Sequence, residues 1–204
     1  TDTVASAGSH EVILDRFREE RIPIMVGTQM VTKGLNFENV TLVGVISADQ
    51  SLYSGSYRAN ERTFSLITQV VGRSGRGLKA GRAVIQTFTP ANQVIRQAAA
   101  QDYDSFFRSE LELRRMQYSP PFSDLFTITA SGVDERQVLQ CCGAVRDILK
   151  RELRGREDVN ILGIAPLPVV KVSTRFSYRV TVAAHGDKQV RRLISDILIY
   201  CNTD

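Results

Sequence analysis

The chain has 204 residues, of which 43% are hydrophobic and 24% are charged, and its formal net charge is +4. This composition is typical of globular proteins and excludes a disordered chain, a collagen-like chain and a small disulfide-stabilised protein. No apolar run reaches the ~18–20 residues that cross a bilayer, and the polar N-terminus Thr1–Val4 lacks a signal-peptide core, so we expect a soluble, cytoplasmic protein with no membrane partner.

Short apolar runs alternate with helical patterns over residues 1–90. Each run has the length and β-branched content of a strand and ends at turn residues. The predicted strands are Ile22–Val26, Thr41–Ser47 and Ala83–Thr87, and the predicted helices are Gly8–Glu20, Gln29–Lys33 and Ala59–Val71. Continuous apolar strands that alternate with helices predict an α/β fold with a parallel sheet.

The pattern changes after residue 90. A helix is predicted over Asp102–Met116, and Pro120-Pro121 ends it. The order β-α-β-β-α follows, at Leu125–Ala130, Glu135–Leu153, Val159–Gly163, Phe176–Ala184 and Gln189–Tyr200. This order predicts a small α+β, split-βαβ domain, in which one more strand is expected after the last helix. Either the domain is a reduced variant or the sequence is cut short.

These patterns predict three parts: a first domain at residues 1–90, a helical connector at 91–121, and a C-terminal domain at 122–204. Basic residues form two clusters within them. Arg58 to Arg82 contains six basic residues against Glu61, and Lys171 to Arg192 contains six against Asp187. Phosphate contacts and solvated surfaces explain such clusters equally well.

Cysteine, histidine and acidic residues predict no metal site in this chain. The cysteines lack CxxC spacing, the histidines are isolated, and Asp49 has no companion acid. We interpret Asp49 as a turn or capping residue rather than a Mg²⁺ ligand. We expect the three cysteines to be reduced thiols and the two histidines to be structural. These residues are Cys141, Cys142, Cys201, His10 and His185.

The strongest pattern for chemistry is Q-x-x-G-R-x-G-R, formed by Gln69, Gly72, Arg73, Gly75 and Arg76 at the end of a predicted helix. The glycines let the backbone turn out of the helix, and a guanidinium binds phosphate bidentately. An arginine offered to a γ-phosphate stabilises the charge that develops in phosphoryl transfer. We favour this role over a glycine-capped helix with exposed arginines.

A second pattern, Gly27–Gly34, follows the first predicted strand. It is not a P-loop, because Thr32 precedes Lys33 and Gly34 follows it, whereas that loop needs Gly before the lysine and Ser or Thr after it. Its hydroxyls, free amides and lysine suit a phosphate of nucleic acid or of a nucleotide. A plain strand-to-helix turn fits the segment as well.

Together the two patterns resemble motifs V and VI of superfamily 2 helicases. The wider sequence is similar to the primosomal protein N′ (PriA) family of replication-restart helicases. The similar stretches are Gly27–Phe37, Asn39–Val43, Arg58–Phe64, Thr68–Gly77, Pro120–Phe122, Leu162–Pro168 and Arg175–Val180. In the last of them Ser177 and Tyr178 replace an arginine and a tryptophan of the family, which removes one positive charge.

This resemblance implies an ATP-driven 3′-to-5′ DNA helicase that binds forks and D-loops and works with other primosome proteins. Residues 1–90 would then be the C-terminal part of a second RecA-like lobe. The C-terminal domain would fold like ribosomal protein S10 and bind branched or single-stranded DNA and the acidic tail of single-stranded DNA-binding protein. ATP and Mg²⁺ would be held mainly by the family's upstream lobe, and zinc is expected only in the family's upstream insertion.

The resemblance also gives each similar residue a role. Arg76 would be the best candidate for the arginine finger, with Arg73 beside it. The other roles are coupling of ATP to DNA (Gln69, Gly72, Gly75), DNA contact (Thr28, Gln29, Lys33), and binding of DNA or the acidic tail (Arg175, Arg179, Lys171).

Two alternatives stay open: a non-catalytic DNA-binding or replisome-docking module, and another superfamily 2 DNA remodeller of the RecG type. In such motors ATP is hydrolysed between two lobes, of which this chain carries the arginine-finger side. We therefore expect the isolated chain to lack ATPase and helicase activity, and the intact protein to be a nucleoid-associated bacterial DNA helicase.

Overall fold

The computed structural model describes residues 7–28, 40–72, 81–186 and 188–201. The described residues divide into two compact units. Unit 1 contains the residues up to Ser51 together with Arg62–Tyr103, and unit 2 contains Leu52–Glu61 together with the residues from Asp104 onward. No helix within these ranges is long and apolar enough to span a membrane.

Unit 1 is built around two parallel strands. Its elements are helix α1 (Ala7–Glu19), strand β1 (Leu42–Val45), a short 3-10 helix (Ala48–Ser51), helix α2 (Ala59–Val71), strand β2 (Arg82–Ile85) and helix α3 (Gln93–Ala99). Leu42 lies opposite Arg82 and Val45 opposite Ile85 in the parallel register. The strand–helix–strand order of β1, α2 and β2 confirms the predicted parallel sheet with helices.

Helix α2 has the bounds that its apolar spacing predicts. Thr63, Phe64 and Ile67 are buried, and Ile67 follows Phe64 by three positions and Thr63 by four, which is the spacing of a helix face that packs on a core. The Phe64 ring also meets the Tyr103 ring edge-on, with 6.2 Å between the centroids. The first three residues of α2 belong to unit 2 and the others to unit 1.

The predicted strand Ile22–Val26 is wrong. The structure describes this segment without helix or strand, and Ile24 and Val26 are exposed. The run contains Pro23, which has no amide hydrogen for a ladder, and no described strand pairs with it. The predicted helix Gln29–Lys33 lies outside the described residues.

Unit 2 contains an antiparallel sheet. Its elements are helix α4 (Tyr103–Met116, whose first residue belongs to unit 1), strand β3 (Asp124–Gly132), helix α5 (Glu135–Glu152), strand β4 (Val159–Val172), strand β5 (Arg175–Ala184) and helix α6 (Lys188–Cys201). The sheet order is β3-β5-β4, and β5 is antiparallel to both neighbours. Strands β3 and β4 are thus parallel and separated by β5, which confirms the predicted split βαβ arrangement.

The core of unit 2 lies between one face of this sheet and two helices. Alternate residues of the strands point into it, together with apolar stripes of α5 and α6. The buried members are Ile128, Cys142, Val145, Leu149, Leu153, Val180, Val182, Ala184, Val190 and Ile197. The opposite face of β5 carries Arg175, Ser177, Arg179 and Thr181, so the basic residues lie on the side away from this core.

Candidate functional site

The described residues contain six of the eleven predicted site residues. Gln69, Gly72 and Thr28 belong to unit 1, and Lys171, Arg175 and Arg179 belong to unit 2. The other five, Gln29, Lys33, Arg73, Gly75 and Arg76, lie outside the described residues, so their roles stay predictions.

The end of α2 brings the two described residues of the Q-x-x-G-R pattern together. Gln69 is half-buried in the last turn, and the Gly72 amide donates to the Thr68 carbonyl oxygen over 2.9 Å. A Cβ at Gly72 would lie 3.2 Å from that oxygen and 3.4 Å from Nε2 of Gln101. Gly72 has no positive φ, so a larger side chain here is limited by space rather than by backbone conformation, and the Thr68 carbonyl oxygen would have to shift by a few tenths of an ångström. Thr28 is exposed.

Asp49 fixes the carboxyl-terminal edge of the parallel sheet. Its carboxylate accepts hydrogen bonds from Thr87 Oγ1 (2.7 Å), from the Phe88 amide (2.9 Å) and from Thr89 Oγ1, all just beyond β2. The bond from Thr89, with those from Phe88 and Thr87, outweighs the opposing effect of burial and lowers the pKa of Asp49 to about 2. The carboxylate thus joins the segments that follow β1 and β2, which confirms its expected role in a turn.

A basic hairpin joins β4 to β5 in unit 2. We define it by the residues Lys171, Arg175 and Arg179. Arg175 is exposed and donates to the Ser131 carbonyl oxygen over 2.8 Å, and the Lys171 ammonium lies 4.7 Å from the centroid of the Phe176 ring. Within the described residues, no carboxylate forms an ion pair with any of the three. Their charges are therefore available to an anionic ligand.

Arg179 differs from its two neighbours because it already has a protein partner. Its Nη2 donates to the carbonyl oxygen of Gly55 over 3.1 Å, and its side chain is half-buried. On the other face of β5, the Tyr178 hydroxyl donates to Glu135 over 2.6 Å, and this bond together with burial raises the pKa of Tyr178. Arg179 therefore has a structural contact in addition to its predicted binding role.

At the start of α2 lies a polar cluster that the sequence patterns did not indicate, which we call the Arg114 junction. It contains Tyr57, Asn60, Glu61, Glu110 and Arg114. The Arg114 guanidinium donates from Nε to Glu110 and from Nη2 to Glu61, each over 2.9 Å, and it lies 5.5 Å from the Tyr57 ring centroid. The second oxygen of Glu110 accepts from Asn60 Nδ2 over 2.9 Å. One guanidinium thus joins α4 to the first turn of α2.

The Arg114 junction differs from a surface ion pair because two of its charged side chains are largely buried. The Arg114 side chain is 15% exposed and the Glu110 side chain 9%, whereas the Glu61 side chain is 51% exposed. Arg114 also donates from Nη1 to the Pro120 carbonyl oxygen over 3.3 Å. The i, i+4 spacing of Glu110 and Arg114 within a predicted helix was the one signal in the sequence. No pattern relates either residue to Glu61, which lies 53 positions before Arg114.

No group of three or more histidine, cysteine or acidic side chains that could hold a metal ion occurs among the residues that the structure describes. Burial, with a smaller contribution from Cys141, raises the pKa of the Cys142 thiol, which disfavours the thiolate.

Two protein families match most of the chain. Residues 5–77 match the helicase conserved C-terminal domain, and residues 114–200 match the primosomal protein N C-terminal domain. Three similar curated proteins, each named replication restart protein PriA, come from Bacillus subtilis, Synechocystis and Chlamydia muridarum.

The likeness to these relatives extends along nearly the whole chain. The Bacillus subtilis protein is 37% identical over 97% of the chain, the Synechocystis protein 37% over 89%, and the Chlamydia muridarum protein 35% over 96%. The matched regions make up 24%, 22% and 26% of those proteins, so the chain spans about a quarter of the length of these relatives.

Proposed function

Since the chain belongs to the helicase conserved C-terminal domain family over residues 5–77 and to the primosomal protein N C-terminal domain family over residues 114–200, we propose that it serves as the C-terminal part of an ATP-dependent 3′-to-5′ DNA helicase of replication restart. The observation that carries this proposal is the succession of the two families in one chain. The first family by itself fits many kinds of DNA motor. The second family is named for the primosome and narrows the proposal to replication restart.

The proposed reaction uses ATP in a cleft between two helicase lobes. The first lobe, in the full-length protein, holds the phosphates and Mg²⁺, and residues 1–90 offer the arginines from the other side. Arg76, with Arg73 beside it, stabilises the negative charge that develops on the transferred γ-phosphoryl group. Gln69 at the end of α2 couples the bound nucleotide to the bound DNA. Thr28, Gln29 and Lys33 contact the DNA strand. Zinc belongs to the upstream part of the full-length protein.

Unit 2 is proposed to bind the anionic partners. The basic hairpin offers Lys171 and Arg175 without competing carboxylates among the described residues. Charge-assisted hydrogen bonds from arginine suit both DNA phosphates and the carboxylates of an acidic tail. We propose branched or single-stranded DNA, the acidic tail of single-stranded DNA-binding protein and other primosome proteins as partners.

The arginine finger tests this function most specifically. Arg76→Ala in the full-length protein should lower DNA-stimulated ATP hydrolysis by roughly 10³-fold or more, because the transition state loses its positive charge. ATP binding, measured by titration with a fluorescent nucleotide, should change little, since phosphate binding belongs to the first lobe.

Arg96→Ala is the matched control, because Arg96 is an exposed arginine of unit 1 on α3. It should hydrolyse ATP at the wild-type rate. Normal turnover by Arg76→Ala together with a loss in Arg73→Ala would move the finger to Arg73. Full activity of both variants would refute the proposed arginine-finger role.

A further inference from the structure

Residues Leu52–Glu61, which we call the strap, belong to unit 2 although the residues on both sides of them in the chain belong to unit 1. The strap follows the short 3-10 helix Ala48–Ser51 and includes the first three residues of α2. Helix α2 therefore begins in unit 2 and ends in unit 1, directly before the segment that carries the proposed arginine finger.

Unit 2 holds the middle of the strap through Gly55. The Gly55 carbonyl oxygen accepts from Arg179 over 3.1 Å, and Gly55 has a φ of +67°, a conformation that other residues rarely adopt. A Cβ at Gly55 would lie 3.7 Å from Arg179 Nη2 and from Pro168 Cγ, which is an ordinary contact distance. The glycine is therefore required by the backbone conformation that presents its carbonyl group to Arg179.

The Arg114 junction holds the end of the strap. Tyr57, Asn60 and Glu61 each contact Arg114 or its partner Glu110. The three strap residues lie in the part matched to the helicase domain, while Arg114 is the first residue matched to the primosomal domain. The start of α2 is therefore fixed to the structure that begins the second family.

Helix α2 links this attachment at its first turn to Gln69 at its last turn. Its 13 residues span roughly 20 Å at 1.5 Å per residue. A helix of this length moves as a stiff element, and coupling between distant sites travels through such elements. A displacement of Asn60 and Glu61 would therefore reach Gln69 in the last turn of the same helix.

We propose that Arg114 is a positioning residue that couples unit 2 to the last turn of α2. Ligand binding to unit 2 then sets the position of Gln69, and through it the rate of ATP hydrolysis. Only this last step rests on the proposed function. The contacts by which the Arg114 junction stabilises α2 are a property of the chain itself. They are tested by a measurement that does not need ATPase activity.

Hydrogen–deuterium exchange on this chain tests that hold. Glu61→Gln removes one arm of the junction at a half-exposed position, so the chain keeps its fold, and Arg114→Met removes the centre. Both variants should speed exchange of amides in the second half of α2, Ser65–Val70, as well as in its first turn. Exchange in β5 should stay as in the wild type.

Glu152→Gln is the matched control, because it breaks the ion pair of Arg151 and Glu152 at a side chain that is 46% exposed, close to the 51% of Glu61. It should leave exchange in α2 unchanged. Wild-type exchange of Ser65–Val70 in both Glu61→Gln and Arg114→Met would overturn the proposal.

ATP hydrolysis by the full-length protein tests the functional step. Glu61→Gln should retain the basal rate and lose roughly fivefold or more of the stimulation by forked DNA, a typical size for coupling between sites. Full stimulation of this variant would overturn the coupling. A wild-type protein that forked DNA does not stimulate would instead refute the proposed function, and the exchange measurement would still decide about the junction.

Discussion

Asp49 is the residue whose charge has the clearest structural use. Its carboxylate accepts hydrogen bonds from two threonine hydroxyls and one backbone amide beyond β2, and these bonds hold its pKa at about 2. An unfolded aspartate has a pKa near 3.9. Because the folded pKa is the lower one, the carboxylate stabilises the fold above pH ~4, and this contribution is lost as the pH falls towards 2.

Asp49→Asn should therefore destabilise unit 1 at pH 7, since a neutral amide accepts these bonds less strongly. The difference between the variant and the wild type should shrink between pH 4 and pH 2, where the wild-type carboxylate takes up a proton. Urea unfolding followed by circular dichroism at pH 7, 4 and 2.5 measures both effects.

Glu20→Gln is the control for this series, because it removes another carboxylate of unit 1, one that pairs with Arg16 at the surface. Exposed ion pairs contribute little, so its unfolding midpoint should stay near that of the wild type. A constant difference between Asp49→Asn and the wild type at all three pH values would contradict the assigned role of the carboxylate.

At this scale, sequence patterns identify residue types better than partners. The position of Asp49 after an apolar run predicted a turn role, but nothing pointed to Thr87 and Thr89 as its donors. Likewise, the family resemblance implied a binding role for Arg179, whereas its bond to Gly55 joins residues 124 positions apart. Such contacts depend on the folded path of the chain, and a local pattern carries no record of them.

The helices and strands were largely predictable because burial imposes periodicity. Helix α2 has its predicted bounds, and α4, α5 and α6 begin and end within one residue of theirs. Strand β4 was underestimated, since it continues to Val172 rather than ending at Gly163. The added part of the strand contains Pro166 and Pro168, which have no amide hydrogen for a ladder. Both prolines are tolerated because β5 is the single described strand that pairs with β4. In addition, the register between β4 and β5 shifts between Pro166 and Lys171.

The basic hairpin is the element whose function is most open to measurement. Arg175→Ala should weaken binding of forked DNA and of an acidic peptide with a free C-terminal carboxylate by roughly tenfold or more, since a charge-assisted hydrogen bond contributes about 1.5–3 kcal/mol. DNA binding should also fall steeply between 50 and 200 mM salt. Fluorescence anisotropy with the full-length protein measures both affinities.

Arg151→Ala serves as the control for the hairpin, because Arg151 is an exposed arginine on α5 that pairs with Glu152. It changes the net charge by the same amount outside the hairpin. Equal affinities of Arg175→Ala, Arg151→Ala and the wild type for both ligands would rule out the hairpin as the binding surface.

The whole molecule combines the proposed arginine side of an ATPase with a second unit that we propose binds anionic partners. The net charge of +4 by itself distinguished nothing. In the fold, three basic residues of unit 2, Lys171, Arg175 and Arg179, lie on a hairpin and form no ion pair with a carboxylate among the described residues. The strap was beyond sequence analysis, because a boundary drawn along the chain cannot show that residues 52–61 pack with the residues from Asp104 onward.

The central claim is that this chain supplies the arginine side of an ATPase that is complete only in the full-length protein. Steady-state ATP hydrolysis, measured for both proteins with and without forked DNA, tests it most directly. We predict no turnover by the 204-residue chain under either condition and DNA-stimulated turnover by the full-length protein. ATP hydrolysis by the isolated chain, or its absence in the full-length protein, would contradict the account.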